Sequence, residues 1–93
     1  MADITVSKTE SDDAFEFQVT VKEGRGETRH TVTLSKADYQ RLGGGRTSPE
    51  ELVTESFRFL LEREPKESIL RSFDLTLIGH YFPEYERQIR KRL

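Results

Sequence analysis

The chain contains no cysteine, which rules out both a disulfide framework and a thiolate metal site. Secreted domains of this size ordinarily rely on such staples, so their absence points to a reducing, cytoplasmic setting. No apolar run approaches the roughly 20 residues needed to span a bilayer, and no membrane contact is expected. The opening MADITVSKTESDD is acidic and lacks the basic and apolar regions of a signal peptide. Apolar residues are scarce as well: they make up 33% of the chain, and the six glycines do not close the gap to the ~45–50% usual in globular proteins. Charged residues reach 34%. Residues 1–93 are therefore read as a single domain with one small core. With so little to bury, such a chain gains from added interface, which makes a homodimer one expected form. The formal net charge of −2 exerts no general pull on nucleic acid.

What is present is patterned. Ile4 and Val6 alternate with polar neighbours, predicting a first strand over 3–8. Phe15, Phe17, Val19 and Val21 alternate with Glu16, Gln18, Thr20 and Lys22, the mark of a strand with one solvated face, over 14–22. EGRGE follows as a hairpin loop. A third strand over 28–34 sets His30, Val32 and Leu34 against Arg29, Thr31 and Thr33. The prediction is a three-stranded antiparallel meander, apolar on one face, which needs a helical layer to cover it.

Helical periodicity takes over after Ser35. A short helix is expected over 36–42, with Gly43 ending it in the left-handed conformation. SPEELVTESFRFLLERE begins with a cap at Ser48, a proline at the first helical position and Glu51 in place for a capping box. Pro65 lies just beyond, so a helix is predicted over 49–64. Its apolar arc spans roughly 200° at about 100° per residue, enough to touch two neighbours. A third helix is expected over 66–73 through Ile69, Leu70 and Phe73. A last segment over 75–91 carries the stripe Leu75, Ile78, Phe82, Tyr85 and Ile89, with a kink or break at Pro83. The fold class is α+β in two layers.

The sequence offers little chemistry. GGGRTSPEE places glycines before a helix, but no lysine precedes the serine or threonine, so it does not match a P-loop. It reads as a helix stop, a hinge and a new cap. His80 and Glu84 have helical i, i+4 spacing and amount to two ligands, short of a metal site. His30 is expected to be partly buried at the sheet margin, and His80 to face solvent. No spacing selects a catalytic serine–histidine pair or carboxylate pair. The chain is expected to be non-catalytic and to need no cofactor or metal. The last seven residues hold Arg87, Arg90, Lys91 and Arg92 with no acid among them, which suits a helix C-terminus or an acidic partner.

RHTVTLSKADYQRL, a short turn and SPEELVTESFRFLLER resemble the strand, helix and helix of ribbon-helix-helix DNA-binding proteins. The likeness covers Arg29 to Arg63. It implies a third strand that pairs across a dimer, with Arg29, Thr31 and Thr33 reading the major groove and Thr47 and Ser48 against phosphate. The leading reading is a small intracellular protein acting through protein–protein contact or self-association. Its candidate contacts are Phe59, Arg87, Arg90, Lys91 and Arg92, and the DNA-binding regulator is the alternative.

Overall fold

The structure is a computed structural model that describes residues 2–93. Strands β1 (Asp3–Glu10), β2 (Ala14–Glu23), β3 (Gly26–Ser35) and β4 (Ser72–Asp74) form one sheet in that order. Helices α1 (Lys36–Gly43), α2 (Pro49–Leu61), α3 (Ile78–Tyr81) and α4 (Tyr85–Arg92) complete the α+β architecture. The antiparallel meander follows the period-2 pattern. Phe15, Phe17, Val19, Val21, Val32 and Leu34 are buried, while Glu16, Gln18, Lys22, Arg29 and Thr33 face solvent. Glu23 pairs with Gly26 across the two-residue turn Gly24–Arg25. Gly24 has φ +61° and Arg25 does not share the positive sign, so the turn is of the type that puts glycine first.

Helix α2 starts as the sequence predicts. Pro49 occupies the first turn and the Ser48 hydroxyl accepts from the Glu51 N–H at 3.1 Å, satisfying one of the open donors of that turn. Two faces of α2 are buried. Phe57 stacks near His30 of β3 and Phe73 of β4, while Phe59 packs edge-on against Phe82 and Tyr85 of the C-terminal segment. Helix α4 lies against both α1 and α2. The wide arc read from the sequence thus serves two neighbours within one chain.

Three details after the meander depart from expectation, and the break at Pro83 is one of the two outcomes expected there. Helix α2 ends at Leu61, before 64. The helix expected over 66–73 is a 3-10 turn, Lys66–Ser68, followed by β4, which runs parallel to β3. The reason is tertiary. In β3 the odd-numbered residues turn their backbone groups away from β2, and the Thr31 N–H donates to the Arg71 carbonyl at 2.7 Å. Those open groups are better satisfied by a strand than by another helix. The segment 75–91 breaks at Pro83, where Phe82 is extended (φ −129°, ψ 91°) between α3 and α4. The burial phase survives the break, since Leu75, Ile78, Tyr85 and Ile89 all lie in the core. Finally, the left-handed glycine after α1 is Gly45, at φ +84°. Gly43 stays helical and buried, where a Cβ would stand 3.1 Å from both Leu93 and Thr47 side-chain atoms.

Candidate docking groove

Below the end of α2 the chain makes an open apolar groove of about 420 Å³. Its floor is Leu60, Ile69 and Ile78, each almost fully buried. Phe73, Leu77 and Phe82 form the walls, and Leu70 and Tyr81 stand at the rim. These two are the large apolar side chains that remain exposed among the described residues, at 47% and 66%. Glu64 is the carboxylate in the lining, and it makes no ion pair within the described residues.

Each rim residue is held out for a local reason. Pro65 prevents α2 from continuing, and after the 3-10 turn Ile69 is extended (φ −75°, ψ 132°). Ile69 then drops into the core. The next carbonyl, that of Leu70, accepts a hydrogen bond from His30 Nδ1 at 2.8 Å, so the Leu70 backbone is fixed to β3 while its side chain faces solvent. A carbonyl only accepts, so Nδ1 carries a proton, and Nε2 is hydrogen-bonded to the Thr28 hydroxyl at 2.9 Å. His30 is 2% exposed; the added strand β4 moves it from the expected margin into the interior. On the other wall, Asp74 accepts from the Thr76 N–H at 3.1 Å and opens the 3-10 turn Leu75–Leu77 that leads into α3. Tyr81 is the last residue of α3.

A buried polar link joins α2 to α4. Ser56 in the middle of α2 donates to the Leu52 carbonyl at 2.8 Å, which leaves its oxygen to accept from the Tyr85 hydroxyl at 2.7 Å. Burial pushes the Tyr85 phenol well above its ordinary value of 10.0, and the Ser56 hydrogen bond offsets this only in part. Ion pairs tie α4 to its neighbours: Arg92 to Glu62 and Arg41 to Glu86, both at 2.6 Å.

The residues singled out from sequence are scattered by this fold. Phe59 is 0% exposed and has no surface to offer a partner; the Arg63 guanidinium lies over its ring at 3.6 Å and that of Arg92 at 5.7 Å. Arg92 is half-buried and committed to Glu62, whose carboxyl its hydrogen bond lowers below the ordinary value. Arg90 reaches the Arg41 carbonyl and Glu86. Only Arg87 and Lys91 of the basic set are exposed without an ion pair among the described residues. His80 and Glu84 do not share a helical face, because the break at Pro83 separates them, and Glu84 turns to Arg63 at 3.4 Å. Arg29, Thr31 and Thr33 do lie on the solvated face of the sheet, where Thr31 donates to Gln18 and Thr33 to Asp74. Their strand, however, is flanked by β2 and β4. The edge that pairs across a dimer in the ribbon-helix-helix arrangement is occupied here from Thr31 to Thr33. The sequence pattern did not mark Leu70 as exposed, since it fitted the apolar stripe of the helix expected over 66–73, and it did not single out Tyr81.

Comparison with known proteins finds no matching family model, curated protein or solved structure.

Proposed function

We propose that this chain is a small, non-catalytic binding protein of a reducing, cytoplasmic setting, and that it works by receiving an apolar segment of a partner polypeptide in the groove between Leu70 and Tyr81. One observation carries the reading. The two large apolar side chains left exposed among the described residues, at 47% and 66%, rim the same recess. Scattered exposed apolar residues are ordinary, whereas exposed ones gathered on one concave site mark interaction surfaces. Glu64 in the lining, without an ion pair among the described residues, adds a preference for a lysine or arginine beside the apolar anchors.

Selection from a displayed random-peptide library, followed by chemical-shift mapping, tests this. Selected peptides should carry apolar anchors next to a basic residue and should perturb Leu70, Tyr81 and Glu64. Leu70→Asp should abolish their binding and leave the circular dichroism spectrum unchanged. Peptides that perturb residues elsewhere, or that bind Leu70→Asp as well as the parent, would overturn the proposal.

A further inference from the structure

The second open surface of the molecule is the edge of β1, and its phase can be read from the hydrogen bonds. The β1–β2 register pairs Asp3 with Lys22 through Glu10 with Phe15, without a bulge. One step beyond, the Ser11 N–H donates to the Ala14 carbonyl at 2.9 Å. In an antiparallel ladder the bonded pairs alternate, so Ser11, Thr9, Ser7, Thr5 and Asp3 are the β1 residues bonded to β2. Ala2, Ile4, Val6, Lys8 and Glu10 then direct their N–H and carbonyl groups to the open side. No backbone bond outside the ladders uses them among the described residues.

The side chains on this edge are unfinished in the same way. Ile4 and Val6 are only half-buried, while Val21 and Val19 opposite them are sealed at 0% and 1%. Natural edges are blunted by proline, bulges or inward-pointing charge. β1 has neither proline nor bulge, and its inward-facing Lys8 is folded back. Its ammonium lies 5.1 Å from the Phe15 ring centroid and within 4 Å of Glu10 and Glu50.

We infer that this edge pairs with a second copy of itself, antiparallel about a two-fold axis at Thr5, to make one continuous eight-stranded sheet. Residues facing each other across a strand pair must share a face, which restricts the register to same-parity pairs. Centring on Thr5 sets Ile4 against Val6 of the second copy and Val6 against its Ile4, both bonded pairs with outward-directed backbone. Thr5 meets Thr5 on the solvated face, and Asp3 meets Ser7. Centring on Val6 would instead set Ile4 against Lys8. The Thr5 register therefore continues the apolar layer and opposes no like charges. This surface is separate from the groove and stands without it.

Because the chain has no cysteine, the register can be read by single-site crosslinking of the 93-residue chain. At the axis, Thr5→Cys places two thiols on a close, non-bonded cross-strand pair, within reach of a disulfide. Ser7→Cys places them roughly 14 Å apart along the strands. Sedimentation equilibrium should show a monomer–dimer equilibrium for the parent chain. Mild oxidation should then trap Thr5→Cys, and not Ser7→Cys, as a covalent dimer. Val6→Pro removes an outward N–H that has no partner among the described residues, so it should shift the equilibrium to monomer with an unchanged circular dichroism spectrum. A parent chain that stays monomeric up to its solubility limit overturns the inference. So does a dimer in which Ser7→Cys crosslinks as readily as Thr5→Cys.

Discussion

From Asp3 to Ser35 each strand pairs with the strand beside it in sequence, through tight connections at Ser11–Asp13 and Gly24–Arg25. From Pro65 onward the chain pairs at long range: Leu70 with His30 and Asp74 with Thr33, 40 and 41 residues away. The meander closes short loops and gains a hydrogen-bonded ladder at once. The C-terminal third must wait for a surface on which to settle, because distant contacts repay loop closure only when they form. Helix α2 is the hinge of this difference, with Phe57 toward the sheet and Phe59 toward the late-arriving segment. The groove belongs to the second region, since most of its lining comes from Ser68 to Phe82. The candidate site is thus built on the part of the molecule with the most conditional stability, where binding surfaces are commonly found.

The largest expected effect comes from cutting the contact between the regions. Phe59→Ala should cost about 3–5 kcal/mol in urea unfolding, the usual range for a fully buried phenylalanine. If the two regions are distinct, the loss should appear first as release of the segment after Pro65, read by a fall in near-ultraviolet signal ahead of the sheet's far-ultraviolet signal. Coincident transitions would merge the regions into one unit.

His30→Ala tests the clasp itself. It leaves the Leu70 carbonyl and Thr28 hydroxyl without their partner, and should cost about 1–3 kcal/mol. The effect should be concentrated in Ile69 to Asp74 and read by hydrogen exchange. Tyr85→Phe removes one buried hydrogen bond to Ser56, worth about 1 kcal/mol. The pH dependence sharpens this case. Burial raises the folded-state value of the Tyr85 phenol, so its contribution is fully present below the unfolded value near 10.0. It is lost as pH rises above that, because the unfolded chain ionises first. The parent's advantage over Tyr85→Phe should therefore shrink in urea titrations carried from neutral pH to beyond 10.0.

The smallest effect is expected at the surface pair. Glu62→Gln should cost no more than about 1 kcal/mol, since exposed ion pairs contribute little. The Arg92 hydrogen bond lowers the Glu62 carboxyl below 4.5, so this contribution holds above that value and fades as pH falls through the lowered one. Parent and variant should converge in acid. A gap that persists there would assign the role of Glu62 to packing.

The same division explains what the sequence made legible. The alternation of Phe15, Phe17, Val19 and Val21 and the Ser48–Pro49–Glu51 cap are local signals, and they appear in the structure where they were read. Of the stripe Leu75, Ile78, Phe82, Tyr85 and Ile89, all but the half-buried Phe82 lie in the core, while the backbone path was left open, because burial phase does not depend on whether the helix is continuous. β4 was hidden. Ser72–Asp74 is too short to show alternation, and its stability comes from β3 rather than from its own residues. The groove was hidden for the same reason: Leu70 becomes a rim residue only because His30, 40 positions earlier, holds its carbonyl.

Adjacent amides on β3 give the most direct test that the groove-forming segment is held separately from the meander. The Thr31 N–H is bonded to Arg71, while Val32, directly opposite Phe17, is bonded within the meander. In native-state hydrogen exchange of the full chain, Thr31 should exchange together with Ile69 to Phe73 and faster than Val32. His30→Ala should accelerate Thr31 and leave Val32 unchanged. Equal exchange at Thr31 and Val32, shifting together in the variant, would contradict the account.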